Sequence, residues 1–236
     1  MNDKRGEEML QGGISIKGSY HEINQDYYLS KAFDNGHIIV VSDGMGSKRL
    51  SHYGSKAICE SVYDVISEYS AEIDDMDFRE MLSLSHEEWK KRVEEYGIIN
   101  CYATLLVVVV TDNKIKAARL GDGFLGVYLN EEVICLFDKK EGYFANETDC
   151  LRESFEEEKL ETVELDYDIF RGAICCTDGI EIRTMQNEDL QNFTKGFIEE
   201  YGQKNETDIK TDVENWLKDW PGTDDKTLAF MIEEVK

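Results

Sequence analysis

TLLVVVVTDNKIKAARL, residues 104–120, is the stretch on which the fold turns. Residues 104–111 are a continuous apolar run with no polar alternation, as expected of a strand covered on both faces. Asp112-Asn113 is a turn signal, and residues 115–120 continue as the next strand. Working outward, residues 124–129 and 133–137 read as strands joined at Asn130-Glu131-Glu132. Upstream, strands are expected at 13–17, 27–32 and 37–42, the last two joined by the tight hairpin signal Asp34-Asn35-Gly36. Helical patterns lie between these blocks: Ile58, Val62, Val65, Ile66 and Tyr69 share one face, as do Phe78, Met81, Leu82, Trp89, Val93 and Tyr96. Residues 138–166 carry seven glutamates from Glu147 to Glu164 and little periodicity, so a mobile, solvated loop is expected. Residues 171–177 are another buried strand. Two helical patterns follow, Leu190, Phe193, Phe197 and Tyr201, then Ile209, Val213, Trp216, Leu217 and Trp220, and residues 227–232 close as a strand. Helices bunched between blocks of consecutive strands are not a βαβ alternation. They predict antiparallel sheets with helix layers outside.

At 236 residues the chain suits one large domain, and 41% hydrophobic residues suffice for a sizeable core. Lys and Arg number 26 against 50 Asp and Glu, a net charge of −24. That balance argues against nucleic acid and anionic membranes as partners. The longest strictly apolar run, Leu105 to Val110, is too short to span a bilayer, and the charged residues 1–10 show no secretion signal. The six cysteines form no C-x-x-C pair, which disfavours zinc. They are expected as free, mostly buried thiols in a cytoplasmic protein, a disulfide framework being the minor alternative.

Aspartates recur beside glycine at expected strand ends: Asp43-Gly44, Gly121-Asp122-Gly123 and Asp178-Gly179. Asp224-Asp225 precedes the last strand, and Asp26 precedes an early one. A strand end fixes the backbone and lets a short carboxylate project past the sheet, while glycine admits close approach. Carboxylates gathered at one sheet end repel unless cations lie between them. Hard divalent ions prefer such oxygen ligands, so the pattern points to a Mg²⁺ or Mn²⁺ site. Asp-Gly is also a common turn dipeptide, and each instance alone has that simpler explanation.

GSYHEINQD, VVSDGMGS, ATLLVVVV, LGDG, TDGI and DDKT occur in that order. The succession resembles the metal-dependent protein phosphatase 2C family in its compact bacterial form, over residues 12–232. VVSDGMGS is the most specific element; TDGI and DDKT carry weight only in order. EGYFANETDCL, residues 141–151, is similar to a stretch of one bacterial branch. The resemblance implies an α+β fold, a four-layer α-β-β-α sandwich of two antiparallel sheets flanked by helices, as one domain over 1–236. It implies two bound Mn²⁺ or Mg²⁺ ions, with Asp43 bridging them, the Gly44 carbonyl on the second, and Asp178 and Asp224 on the first. A weaker third ion would rest on Asp122 and Asp178, and Asp26 would hydrogen-bond a water of the metals. Two such ions about 3.5–4 Å apart lower the pKa of a shared water toward 7, which suits hydrolysis of a phosphomonoester. The implied substrate is a phosphoserine or phosphothreonine protein, and the implied state a monomer.

The sequence departs from the family pattern at several of these positions. His21 stands where most members carry an arginine that grips the substrate phosphate, and it is the candidate for that role here. A histidine offers one donor where an arginine fork offers two. Lys48 and Arg49, just past the DGMG turn, are candidates to help bind phosphate; the plain alternative is an exposed basic pair. Gln25 replaces a glutamate, Gly123-Phe124 a Ser-Arg pair, Ser47 a glycine and Asp225 an asparagine, while Met45 is common in bacterial members. These departures motivate the alternative of a pseudophosphatase that binds metal and turns over little. Another two-metal hydrolase is opposed by the charge balance and by the lack of a phosphate-cradling glycine loop.

Overall fold

The computed structural model describes residues 9–139, 148–167 and 169–234. In chain order these form β1 (Met9–Ile16), β2 (Tyr27–Phe33), β3 (Gly36–Ser42), α1 (Ser51–Glu68), α2 (Phe78–Val93), β4 (Leu105–Thr111), β5 (Lys114–Leu120), β6 (Phe124–Leu129) and β7 (Glu132–Leu136). Then come β8 (Glu161–Asp166), β9 (Phe170–Cys176), α3 (Asn187–Tyr201), α4 (Glu206–Lys218) and β10 (Lys226–Glu233). The strands build two antiparallel five-stranded sheets, ordered β1-β10-β9-β6-β7 and β2-β3-β4-β5-β8.

The doubly apolar β4 explains the layering. Val107 and Val109, with Ile38 and Val40 of β3, face α1 and α2 and meet Ile58, Val62, Met81 and Trp89. The alternate residues Leu106, Val108 and Val110 face the other sheet and meet Leu125, Val127, Ala173, Cys175 and Ala229. That second sheet turns Phe124, Ile174, Cys176 and Phe230 outward onto Leu190, Phe197, Ile209 and Val213 of α3 and α4. Three apolar layers therefore separate four structural layers, as the sequence predicts. Each fully buried Val, Leu or Phe contributes about 1.5–3 kcal/mol to holding them together. The Trp216–Trp220 stripe joins this packing, with the rings 5.3 Å apart over the α3–α4 core. All six cysteines are free thiols, and five are buried.

The hairpin at Asp34-Asn35 forms as expected, with Phe33 opposite Gly36. The glycine serves packing there: a Cβ on Gly36 would lie 2.1 Å from the Val110 carbonyl oxygen of β4. At the β6–β7 turn Asn130 takes the left-handed conformation, φ 50°, which asparagine tolerates.

The expectation of a mobile, solvated loop over 138–166 is corrected. Residues 140–147, which include most of the EGYFANETDCL segment, lie outside the described residues, as do residues 1–8 of the N-terminal stretch. The remainder ends in β8, an edge strand paired with β5. Its acidic residues stand opposite cations in register: Glu161 with Arg119, Glu164 with Lys116 and Asp166 with Lys114. Between them Val163 and Leu165 pack toward the inter-sheet core, so the segment alternates as a strand should. Among the described residues no helix is long and apolar enough to cross a membrane.

Candidate metal centre

The site forms where β3, the β5–β6 turn and β9 end together. Thr104 locks Asp43 at the end of β3. Its Oγ1 accepts from the Asp43 N–H at 2.9 Å, and its own N–H donates to the Asp43 carbonyl at 2.8 Å. The Gly44 N–H donates to the Gln25 carbonyl at 3.1 Å. A Cβ on Gly44 would sit 2.7 Å from the Ser51 backbone and 2.8 Å from the Gln25 carbonyl oxygen, so glycine is required for these segments to meet. At the β5–β6 turn Gly121 has φ 120°, and its carbonyl accepts from the Arg119 guanidinium. Asp122 follows, and its Oδ2 accepts from Thr148 Oγ1 at 2.7 Å. At the end of β9 the Thr177 N–H donates to the Thr227 carbonyl at 3.0 Å, and Asp178 comes next.

These elements bring one carboxylate oxygen each of Asp43, Asp122 and Asp178 within 4.8 Å of one another. Asp26 is close by and buried, 7% exposed. Its Oδ2 accepts from Thr177 Oγ1 at 2.8 Å, while Oδ1 is buried with no donor. The Asp26 and Asp43 carboxyls come within hydrogen-bonding reach of each other. Desolvation pushes Asp26 up to about 6; the neighbouring Asp43 carboxyl and the Thr227 and Thr177 groups oppose the rise, and the Asp225 charge adds a little to it. Desolvation, then the charges of Asp26 and Asp178, push Asp43 well above the usual carboxylate range. Among the described residues no lysine or arginine pairs with Asp26, Asp43 or Asp122. An orphaned buried carboxylate oxygen beside an all-oxygen donor set fits a hard divalent cation.

Other candidates sit outside this group. Asp224 is exposed and faces His21, with Oδ1 3.7 Å from the histidine Nε2. The His21 ring lies against Gly46, 3.2 Å from where a Cβ would be. The Lys48 ammonium rests over the Tyr102 ring, 4.3 Å from its centroid, and Arg49 is exposed. Sequence reasoning missed the threonines that hold the acids, Thr104, Thr148 and Thr177. All three lie inside quoted stretches, Thr104 in ATLLVVVV, Thr148 in EGYFANETDCL and Thr177 in TDGI. It named Asp225 only beside Asp224 and as a replacement for asparagine; its buried carboxylate accepts from the Gly18 and Gln25 N–H groups at 2.7 Å each.

Residues 19–220 match the family model described as protein phosphatase 2C, and the chain belongs to that family of metal-binding protein phosphatases. Among solved structures it is similar to RsbX in complex with magnesium, at 16% identity over 95% of each chain with a TM-score of 0.61. It is likewise similar to PppA, a regulatory component of T6SS in Pseudomonas aeruginosa, at 16% identity over 95% of this chain and 97% of that one, TM-score 0.67. Serine/threonine phosphatase Stp1 from Staphylococcus aureus is 13% identical over 97% of this chain and 96% of its own, TM-score 0.67. At these identities the likeness is one of fold. No curated protein matches the sequence.

Proposed function

We propose that the chain is a phosphomonoester hydrolase that requires Mn²⁺ or Mg²⁺ and acts on phosphoserine or phosphothreonine in proteins. The observation that carries this reading is the convergence of Asp43, Asp122 and Asp178 beside a buried Asp26 whose second oxygen has no donor. Asp43, Asp122, Asp178 and the Gly44 carbonyl would hold the ions, and Asp224 would join them by turning away from His21. Bound ions supply charge neutralisation and a water acidified toward neutral pH.

The chain's own groups orient the reaction. Thr177 fixes one oxygen of Asp26 and leaves the other to align the attacking water. His21, between Asp224 and Gly46, donates to a phosphate oxygen. Arg49, exposed beside the DGMG turn, is free to add a second contact, whereas Lys48 must first leave Tyr102. The water gives up a proton to solvent as its oxygen bonds to phosphorus and the ester P–O bond breaks, and the leaving alkoxide takes a proton from solvent. The test is hydrolysis of an aryl phosphate with Mn²⁺. Asp43→Asn is expected to lower turnover by about 10³-fold or more and to weaken Mn²⁺ binding in calorimetry. Hydrolysis by Asp43→Asn at the wild-type rate sinks this reading.

A second reading, a metal-binding pseudophosphatase, is favoured by the pairing of Asp224 with His21 in place of the cluster. Mn²⁺ binding with no turnover, and turnover gained on His21→Arg, is its expected signature.

A further inference from the structure

The loop of residues 18–25 joins β1 to β2 beside the carboxylates and carries His21. Its backbone is fastened firmly. Asp225 Oδ1 accepts from the Gly18 N–H and Oδ2 from the Gln25 N–H, each at 2.7 Å, so one buried carboxylate ties both ends. The Tyr20 N–H donates to the Thr223 carbonyl at 2.9 Å. Lys17 Nζ bridges the carbonyls of Gly18 and His21, at 2.9 Å each. A loop held this way does not need its side chains for packing, and it shows two large ones to solvent. Tyr20 is 77% exposed and Ile23 55% exposed, one on each side of the His21–Glu22 pair. Apolar side chains fixed at a surface mark docking sites, because a partner buries them without first having to order them.

Acidic side chains stand open to solvent around them. Glu22 is exposed, and the Asp224 side chain is 52% exposed. The neighbouring ammonium groups are taken up by backbone carbonyls: Lys17, itself exposed, as above, and Lys226 Nζ by those of Gly222 at 3.1 Å and Asp224 at 3.2 Å. An apolar edge with acidic groups, on a chain of net charge −24, complements a peptide that is apolar and basic.

We propose that the 18–25 loop is the docking edge for the polypeptide around the phosphorylated residue, and that it selects phosphoproteins with an apolar side chain and a lysine or arginine next to that residue. The inference rests on the phosphatase reading and adds the substrate class. The experiment compares kcat/KM of the Mn²⁺-loaded protein on phosphopeptides flanked by Leu and Arg, on the same peptides flanked by Glu, and on an aryl phosphate. Preference for the Leu/Arg flanks by about tenfold or more is expected, along with a loss of about tenfold more on that peptide than on the aryl phosphate in Tyr20→Ser/Ile23→Ser. Glu22→Lys should shrink the preference. Ile169→Ser, 45% exposed at the opposite end of β9 from Asp178, should change neither substrate. Equal rates on all peptides, or equal losses on peptide and aryl phosphate, overturn the proposal. If the wild-type protein leaves the aryl phosphate intact, the phosphatase reading fails instead. Fluorescence anisotropy with phosphonate versions of the peptides then decides the docking edge. Tighter binding of the basic peptide, lost in Tyr20→Ser/Ile23→Ser, sustains it, and indifference overturns it.

Discussion

Two groups of carboxylates sit in this sandwich under opposite regimes. On β8, Glu161, Glu164 and Asp166 each face a cation of β5, at 3.1, 3.1 and 2.6 Å. At the strand ends, Asp26, Asp43 and Asp122 are gathered with no lysine or arginine paired to them among the described residues. The first group is neutralised by the chain itself and pins an edge strand in register. The second is held by hydroxyls and backbone, which orient charge and do not cancel it. A fold that balances its acids in one place and concentrates them in another leaves the second place needing a cation from outside.

The largest stability effect expected follows from that imbalance. Asp26 rises from 3.8 to about 6 in the folded, metal-free protein. A carboxyl with a raised folded-state value holds its proton more tightly when folded. Its stabilisation is therefore complete below pH about 4 and lost as pH rises through about 6. A shift of that size is worth on the order of 3 kcal/mol. Metal-free wild-type protein should lose that much stability between pH 4 and 7 in urea titrations. Asp26→Asn, which keeps an acceptor for Thr177 and carries no charge, should make the fall shallower, leaving the share of the buried Asp43 carboxyl, and be more stable than wild type at pH 7.5. An Asp26→Asn profile that falls as steeply as wild type would mean that the strain lies elsewhere.

At the balanced group the same kind of substitution should have the opposite sign. The Lys116 side chain is 2% exposed, and its Nζ donates to the Met76 carbonyl at 2.6 Å and pairs with Glu164. Glu164→Gln removes the countercharge and leaves a buried ammonium. Because Glu164 is itself 41% exposed, the loss should fall below that of a fully buried pair, at about 2 kcal/mol. Adding Lys116→Met to Glu164→Gln should restore part of it. Equal stability of Glu164→Gln and wild type in urea would remove the contrast between the two groups.

How much of this was legible in the sequence depends on the kind of signal. β4 announced itself because burial on both faces leaves an unbroken apolar run, and the four helices because apolar spacing follows 3.6 residues. β8 did not. Its apolar positions are only Val163 and Leu165, and an acidic run looks like solvated loop until Lys114, Lys116 and Arg119 are set across from it. Pairing partners far apart in sequence are invisible to a local pattern. Asp43, Asp122 and Asp178 could be suspected from Asp-Gly at strand ends, and the order of motifs added the family. The posts beside them could not: Thr104 makes two hydrogen bonds to Asp43, about 60 residues away, and Asp225 ties the Gly18 and Gln25 N–H groups, about 200 residues away. The outward stance of Asp224 beside His21 likewise has no sequence signature.

The smallest effect expected sharpens the comparison from within the balanced group. Lys114 and Asp166 make the shortest of its three ion pairs, 2.6 Å, yet Asp166 is 87% exposed and Lys114 36%. Each shifts the other in the favourable direction, Lys114 upward and Asp166 downward. Water and salt compete for both charges, and ordering two mobile side chains offsets the attraction. Lys114→Ala should therefore leave the urea midpoint where wild type has it at physiological salt, although its pair is shorter than that of Lys116. A midpoint that drops as far for Lys114→Ala as for Glu164→Gln would show that proximity of charges, and not their burial, sets the stability of the β5–β8 edge.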